Sequence, residues 1–319
     1  MPRESWSARA AAHAKRVDVW VQPHLARRRE GVKHPVHDFL FTYYSQRAAA
    51  LRRWHRGWGV ALADATEYAD QKGYTVWVVE ERAAARISKS HLDSQLPLID
   101  SIHRLLTATA SRPPTLRCFG LHEWAMVHRA NGTIRHEWPL RLGTRGTDEV
   151  VEGHRIACSH FDAFRFFTAS ARPLNTLQPG RDDRAEFEQP GCLHAGMDLY
   201  KHAFRLTPLV PSELVADCFE LAWDIRELDM RASPYDFRDL GFHPVRIETP
   251  EGKQQYVAAQ RRFAERAAPL RQRLIDECRR LREAAEIPVA SMTRPTWPDY
   301  VQQEQADGWR RASCRTGAW

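Results

Sequence analysis

Seven of the fifteen histidines of this 319-residue chain fall between His122 and His202. Three segments concentrate the reactive side chains: Cys118-Phe-Gly-Leu-His122-Glu123-Trp124, Cys158-Ser-His160-Phe-Asp162-Ala-Phe-Arg165, and Cys192-Leu-His194-Ala-Gly-Met-Asp198-Leu-Tyr200-Lys201. His194 and Asp198 are four residues apart, so on a helix they share a face and can chelate one ion. His122, Glu123 and His160 could complete a mixed shell of the kind that iron or zinc accepts. The plainer reading gives these imidazoles to backbone carbonyls in a tightly packed centre, and on that reading no cofactor is expected.

Hydrolysis needs fewer groups. One carboxylate in an apolar pocket can activate water or stabilise a cationic transition state. Asp162, Asp198 and Glu123 each stand among aromatic neighbours and are the catalytic candidates. Trp124, Phe161, Phe164, Phe166, Phe167 and Tyr200 offer rings for stacking a flat base, the way a flipped nucleotide is read. Trp124, Phe161, Arg165, Tyr200 and Lys201 are therefore the substrate-binding candidates, with core packing as the competing role for the Phe161–Phe167 run. Arg165 either pairs with Asp162 or Asp198 or faces a ligand. Asp217, Glu220, Asp224 and Glu227 line one helical face. Diiron bundles place carboxylates this way, but a solvated acidic stripe opposite Leu214, Phe219 and Leu221 is the simpler expectation.

Charge singles out the N-terminus. The chain carries 47 basic and 40 acidic residues, a net +7. Twelve of the basic residues and four of the acidic ones lie in residues 1–56, so the whole excess sits there. Forty-one of the basic residues are Arg and six are Lys, alongside many Ala, a bias that a GC-rich genome also produces. Arg27, Arg28, Arg29, Lys33, Arg52 and Arg53 are interleaved with Trp20, His24, Tyr43, Tyr44 and Trp54, a mixture that suits phosphates with nearby bases. Gly57-Trp58-Gly59 resembles the hairpin of a helix-hairpin-helix element, whose backbone N–H groups meet phosphate, although Trp54-His55-Arg56 stands where Leu-Pro is usual. A solvated basic helix is the alternative for the cluster.

The elements that must hold these groups are mostly helical. Apolar spacing predicts helices over residues 5–20, 36–54, 60–70, 96–110, 193–206, 211–230 and 253–285, with Pro269 expected to kink or split the last. Ser159 is the expected N-cap of a helix reaching Phe167. Thr75–Val79 and Glu149–Cys158 read as strands, Asn131-Gly132 as a hairpin turn, and residues 119–128 as either strand or helix. Pro173–Pro190 reads as a loop, long enough to be functional. The expected architecture is mainly α with a small central β element: residues 1–30 a basic helical arm, 31–290 one large helical domain, 291–319 a polar tail. No apolar run approaches the ~20 residues of a membrane span. The opening Met-Pro-Arg-Glu-Ser-Trp has no apolar core of a secretory signal. Six cysteines without a Cys-x-x-Cys pair exclude zinc ribbons and, in a chain of this size, point to reduced cytoplasmic thiols.

Several phrases also resemble a known family. They are His34-Pro-Val-His-Asp-Phe-Leu-Phe-Thr-Tyr-Tyr44 with Leu51-Arg-Arg-Trp-His55; Phe119-Gly-Leu-His-Glu-Trp-Ala-Met-Val127; His160-Phe-Asp-Ala-Phe-Arg-Phe-Phe167; and Glu188-Gln-Pro-Gly-Cys-Leu-His-Ala195 with Met197-Asp-Leu-Tyr-Lys201. Together, over residues 30–285, they resemble an actinobacterial protein family designated 3-methyladenine DNA glycosylase. The resemblance implies hydrolysis of the N-glycosidic bond of alkylated purines in double-stranded DNA. It lends no residue a role. The expected function is accordingly a DNA repair glycosylase. A His/carboxylate iron oxidase or oxygenase acting on a small molecule, with His122, Glu123, His160, His194 and Asp198 as ligands, is the first alternative, and a non-catalytic DNA-binding protein the second.

Overall fold

A computed structural model describes residues 1–44, 46–79, 82–130 and 138–287. The architecture is mainly α with one small antiparallel sheet, as the periodicity predicts. No helix among the described residues is long and apolar enough to cross a membrane.

Helix α1 (Arg3–Arg29) runs through Pro23 without a break and buries Val17 and Val21 in the main core. The helix expected over residues 36–54 is instead two single turns, α2 (Phe39–Thr42) and α3 (Ala48–Leu51). Tertiary demands split it. Tyr44 turns inward to donate its hydroxyl to Asp198 at 2.9 Å, Gln46 is buried, and Arg47 adopts extended backbone before α3 begins. Residues 60–70 are not helical throughout: Leu62–Ala63 form β1 and Thr66–Tyr68 a 3-10 turn. The pull comes from pairing, since β1 and β2 (Tyr74–Val79) flank β3 (Arg82–Ile87) in the order β1-β3-β2. The Trp6 indole fixes this corner by donating to the Ala63 carbonyl at 2.8 Å.

Ser88 caps α4 (Lys89–Ala110), which starts about two turns earlier than its apolar pattern, so Pro97 lies in its interior. Two middle-chain expectations are corrected. Glu149–Cys158 is not a strand: its first four residues form the last turn of α6 (Gly143–Glu152), and only Ile156 makes a bridge, to Asn175. Ser159 is not a cap: α7 is a single turn (Phe161–Phe164) that begins after His160, because the Asn175 amide takes the backbone on either side of the preceding residue, accepting from Cys158 N–H and donating to its carbonyl. The Asn131-Gly132 hairpin and the polar tail lie outside the described residues. The 173–190 segment holds a 3-10 turn at Arg172–Leu174 and a helical turn, α8 (Arg184–Phe187).

Three long helices complete the core: α9 (Leu193–Arg205), α10 (Ser212–Arg231) and α11 (Pro250–Glu286). Gly196 lets α9 approach α10, since a Cβ there would stand 2.8 Å from Ile225 Cδ1. Pro269 does not divide α11. A proline inside a helix costs ~3 kcal/mol, and the buried row Tyr256, Ala267, Leu274, Ile275, Cys278 and Leu281 on either side of it offsets that cost. The acidic stripe of α10 is solvated and ion-paired: Asp217 and Glu220 bind Arg16, Asp224 binds Arg266, and Glu227 binds Arg231.

Candidate metal centre and its pocket

Phe119 (φ 49°) and Gly120 (φ 70°) turn the chain sharply into α5 (Leu121–Ala125), every residue of which is buried. That turn aims His122 and Glu123 toward the space between α9 and α10. His194 comes from the first turn of α9 and Asp229 from the last turn of α10.

These three side chains converge. One ligand atom from each of His122, His194 and Asp229 lies within 4.8 Å of the other two. His122 Nε2 stands 3.1 Å from Asp229 Oδ1 in a buried ion pair, at 1% and 0% residue exposure, and neither atom has another partner among the described residues. The His122 and His194 rings meet edge to face at 4.5 Å, and His160 lies 5.3 Å beyond His194. Cys118 Sγ is 3.6 Å from His122 Nδ1, which leaves Nε2 to face Asp229. The remaining oxygen of Asp229 accepts from Arg226 Nη1 at 3.1 Å, and the same nitrogen reaches Glu123 at 3.2 Å. Arg226 is itself 2% exposed and packs over the Phe39 ring at 3.9 Å.

The electrostatics follow from burial and proximity. Burial opposes ionisation of Asp229, but His122, His194 and Arg226 hold its carboxyl well below the usual range. Burial, then the neighbouring His122, pushes His194 down, which favours the neutral imidazole that metals bind. Burial opposes a charge on His122 too, but Asp229 carries its value up.

A second network adjoins the first. His160 Nε2 lies 3.4 Å from Asp198 and 3.5 Å from Glu188. Arg184 clamps both carboxylates, at 2.6 Å to Glu188 and 2.9 Å to Asp198. Lys201 bridges Asp198 at 3.1 Å and Asp162 at 2.8 Å. Asp198 thus accepts from Tyr44, Arg184 and Lys201 while 2% exposed. Its oxygens are turned to these partners, and the His194–Asp198 chelate anticipated from their spacing is replaced by His194 with Asp229.

A pocket of about 250 Å³ opens onto the first network, lined by Phe39, Thr42, Tyr43, Glu123, Met126, Asp162, Phe166, His194 and Arg226. A neighbouring cleft of about 310 Å³ shares Tyr43 and Asp162 and adds Arg165 and Lys201. Of the sequence candidates, Glu123, Asp162 and His194 line the pocket, and Asp162, Arg165 and Lys201 line the cleft. Arg165 pairs with Asp162 at 3.4 Å and with the Tyr43 hydroxyl at 3.2 Å. Trp124 and Tyr200 are fully buried core residues, and Phe161 lines neither space. Arg27 is paired with Asp38 and Arg52 with Asp18, whereas Arg28, Arg29, Lys33 and Arg53 are exposed without an ion pair among the described residues. Trp58 N–H is already bonded to the Leu209 carbonyl and the Trp58 ring is buried, so this N–H of the Gly57-Trp58-Gly59 turn is not open to phosphate.

Sequence reasoning missed Asp229, Arg226, Phe39 and Tyr43. The signal was present for Asp229: it interrupts an otherwise apolar Leu228–Met230 helix end, three residues after Arg226. No family model, curated protein or solved structure matches this chain.

Proposed function

We propose that this chain is a metal-dependent oxidase or oxygenase in which His122, His194 and Asp229 hold one iron(II) ion and act on a small organic molecule seated in the adjoining pocket. Two histidines and one carboxylate form the ligand set of non-haem iron oxygenases. The observation that carries the reading is the convergence of His122, His194 and Asp229 from three helices within 4.8 Å, with two of the facing atoms having only each other as partner among the described residues. Cys118 orients His122, and Arg226 fixes Asp229 and Glu123, the supporting contacts such ligands need. Bound iron would supply the redox chemistry. The protein's own part is to hold the substrate between Phe39, Tyr43 and Phe166, with Glu123 and Asp162 as acceptors for its polar groups. The same ligand types also suit zinc hydrolysis, so elemental analysis after metal-replete expression tests both the site and its ion. A cytoplasmic location belongs to the proposal, supported by five described cysteines without a disulfide.

A second reading keeps the glycosylase. It is favoured by the two carboxylates, Glu123 and Asp162, that face the same pocket between aromatic rings, an arrangement that could hold a flipped alkylated purine. Arg28, Arg29, Lys33 and Arg53 would then grip the phosphates of double-stranded DNA, and Asp162 or Glu123 would stabilise the positive charge that develops at the sugar C1′ or activate the attacking water. Base release from methylated duplex DNA tests it, with Asp162→Asn and Glu123→Gln as controls. A salt-dependent gel shift without base release would leave only DNA binding.

A further inference from the structure

A second cavity, larger than the pocket beside His194, lies next to it. It encloses about 1000 Å³ and shares Phe39 and Thr42 with that pocket, so the two spaces lie on either side of α2. Its apolar wall is Val32, Pro35, Phe39, Phe41 and Trp138. Its charged rim is Arg28, Lys33 and Arg47, all exposed and without a carboxylate partner among the described residues. The one acidic lining residue, Asp38, is already satisfied: one oxygen accepts from His24 at 2.9 Å and Arg27 at 2.5 Å, the other from the His34 N–H at 2.8 Å. Gln46, 7% exposed, also lines the cavity. An apolar wall and cations without a carboxylate partner make a surface for one kind of small molecule.

We infer that this cavity binds an amphipathic organic anion, an apolar body ending in a carboxylate or a phosphate. The cations at Arg28, Lys33 and Arg47 hold its charge, the apolar wall holds its body, and the Phe39–Thr42 turn leads its far end toward His194. The N-terminal charge excess thereby serves a small anionic molecule. That this molecule is the substrate of the His122–His194–Asp229 centre rests on the metal reading, whereas its binding in the cavity does not.

The experiment uses the full chain stripped of metal and the fluorescent probe 1-anilinonaphthalene-8-sulfonate, displaced by dodecanoate, dodecyl phosphate or dodecanol. One saturable site is expected, from which an anionic competitor displaces the probe at least about tenfold better than the alcohol. The better of dodecanoate and dodecyl phosphate identifies the head group. Arg28→Glu with Arg47→Glu, both at exposed positions, should weaken the anions about tenfold, with metal content unchanged after reloading. Lys33→Glu is the independent check, expected to weaken them in the same direction. Equal displacement by dodecanol, or variants that bind as the parent does, would overturn the inference. So would a short DNA duplex that displaces the probe better than either anion, which would assign the rim to nucleic acid. Anion binding in a protein that takes up no metal would end the metal reading and leave the cavity standing, and the converse separates the other failure.

Discussion

His122 Nε2 and Asp229 Oδ1 face each other across 3.1 Å in the protein interior, and neither has another partner among the described residues. With His194 completing the triangle, this buried ion pair offers a donor set that could hold a metal ion. Cys118 behind His122 and Arg226 behind Asp229 keep the two groups in place.

Metal should therefore stabilise the fold. At a free ion concentration of ~100 times the dissociation constant, binding adds about 2.7 kcal/mol. Adding a chelator should lower the melting temperature of the wild-type protein by several degrees, at about 2–4 °C per kcal/mol. His194→Ala should melt at one temperature with or without chelator. A wild-type melt indifferent to both metal and chelator would remove the linkage.

Arg226 should be difficult to replace. It is the cation between buried Glu123 and Asp229, and removing one partner of a buried ion pair costs ~3–5 kcal/mol. Arg226→Met should lose about that much in urea unfolding. Arg226→Lys should recover only part of it, because an ammonium lacks the flat guanidinium face that stacks on Phe39.

Stability should fall on mild acidification. Burial, aided by the charges of Arg53 and His13, takes His55 from 6.5 down to about 3, and burial with His34 takes His37 down to about 4. Both values lie below those of the unfolded chain, so the unfolded state takes up protons first. Their contribution is complete above pH 6.5 and is lost as pH falls from there toward the folded values. For His55, 8% exposed, the slope is about 1.4 kcal/mol per pH unit. His55→Gln should flatten the pH dependence of urea midpoints between pH 6 and 4, and an unchanged profile would assign the acid lability to other groups.

Gly120 should resist substitution. Its φ of 70° suits glycine, and a Cβ would stand 3.3 Å from that of Ala232. Gly120→Ala should cost about 1–2 kcal/mol from backbone conformation alone. Because this turn aims His122, the variant should also bind metal more weakly than the parent, read by competition with a chelator of known affinity.

Much of the helical scaffold was legible in the sequence, because α9, α10 and α11 bury continuous apolar faces whose period survives in the residues. The turn from Phe39 to Leu51 was not: its apolar stripe reads as one helix, and only the inward pull on Tyr44 and Gln46 breaks it. Strand β3, Arg-Ala-Ala-Ala-Arg-Ile, has a helical composition and becomes a strand by pairing with β2. The site was half visible. His122, His194 and Glu123 stood out by type, and the rings of His122, His160 and His194 do gather. Asp198 looked like the natural partner of His194 by spacing, but Arg184, Lys201 and Tyr44 claim it, and Asp229 arrives from a helix 35 residues further on. That pairing depends on how α9 crosses α10 at Gly196, which no local pattern encodes.

The central claim is tested most directly by the iron content of the purified full chain after metal-replete expression, measured beside Asp229→Asn and His122→Ala. About one iron per chain is expected in the parent and less than about a tenth of that in either variant, with all three proteins folded by circular dichroism. Parent protein that is folded and free of transition metal, or variants that retain the parent's metal, would contradict it.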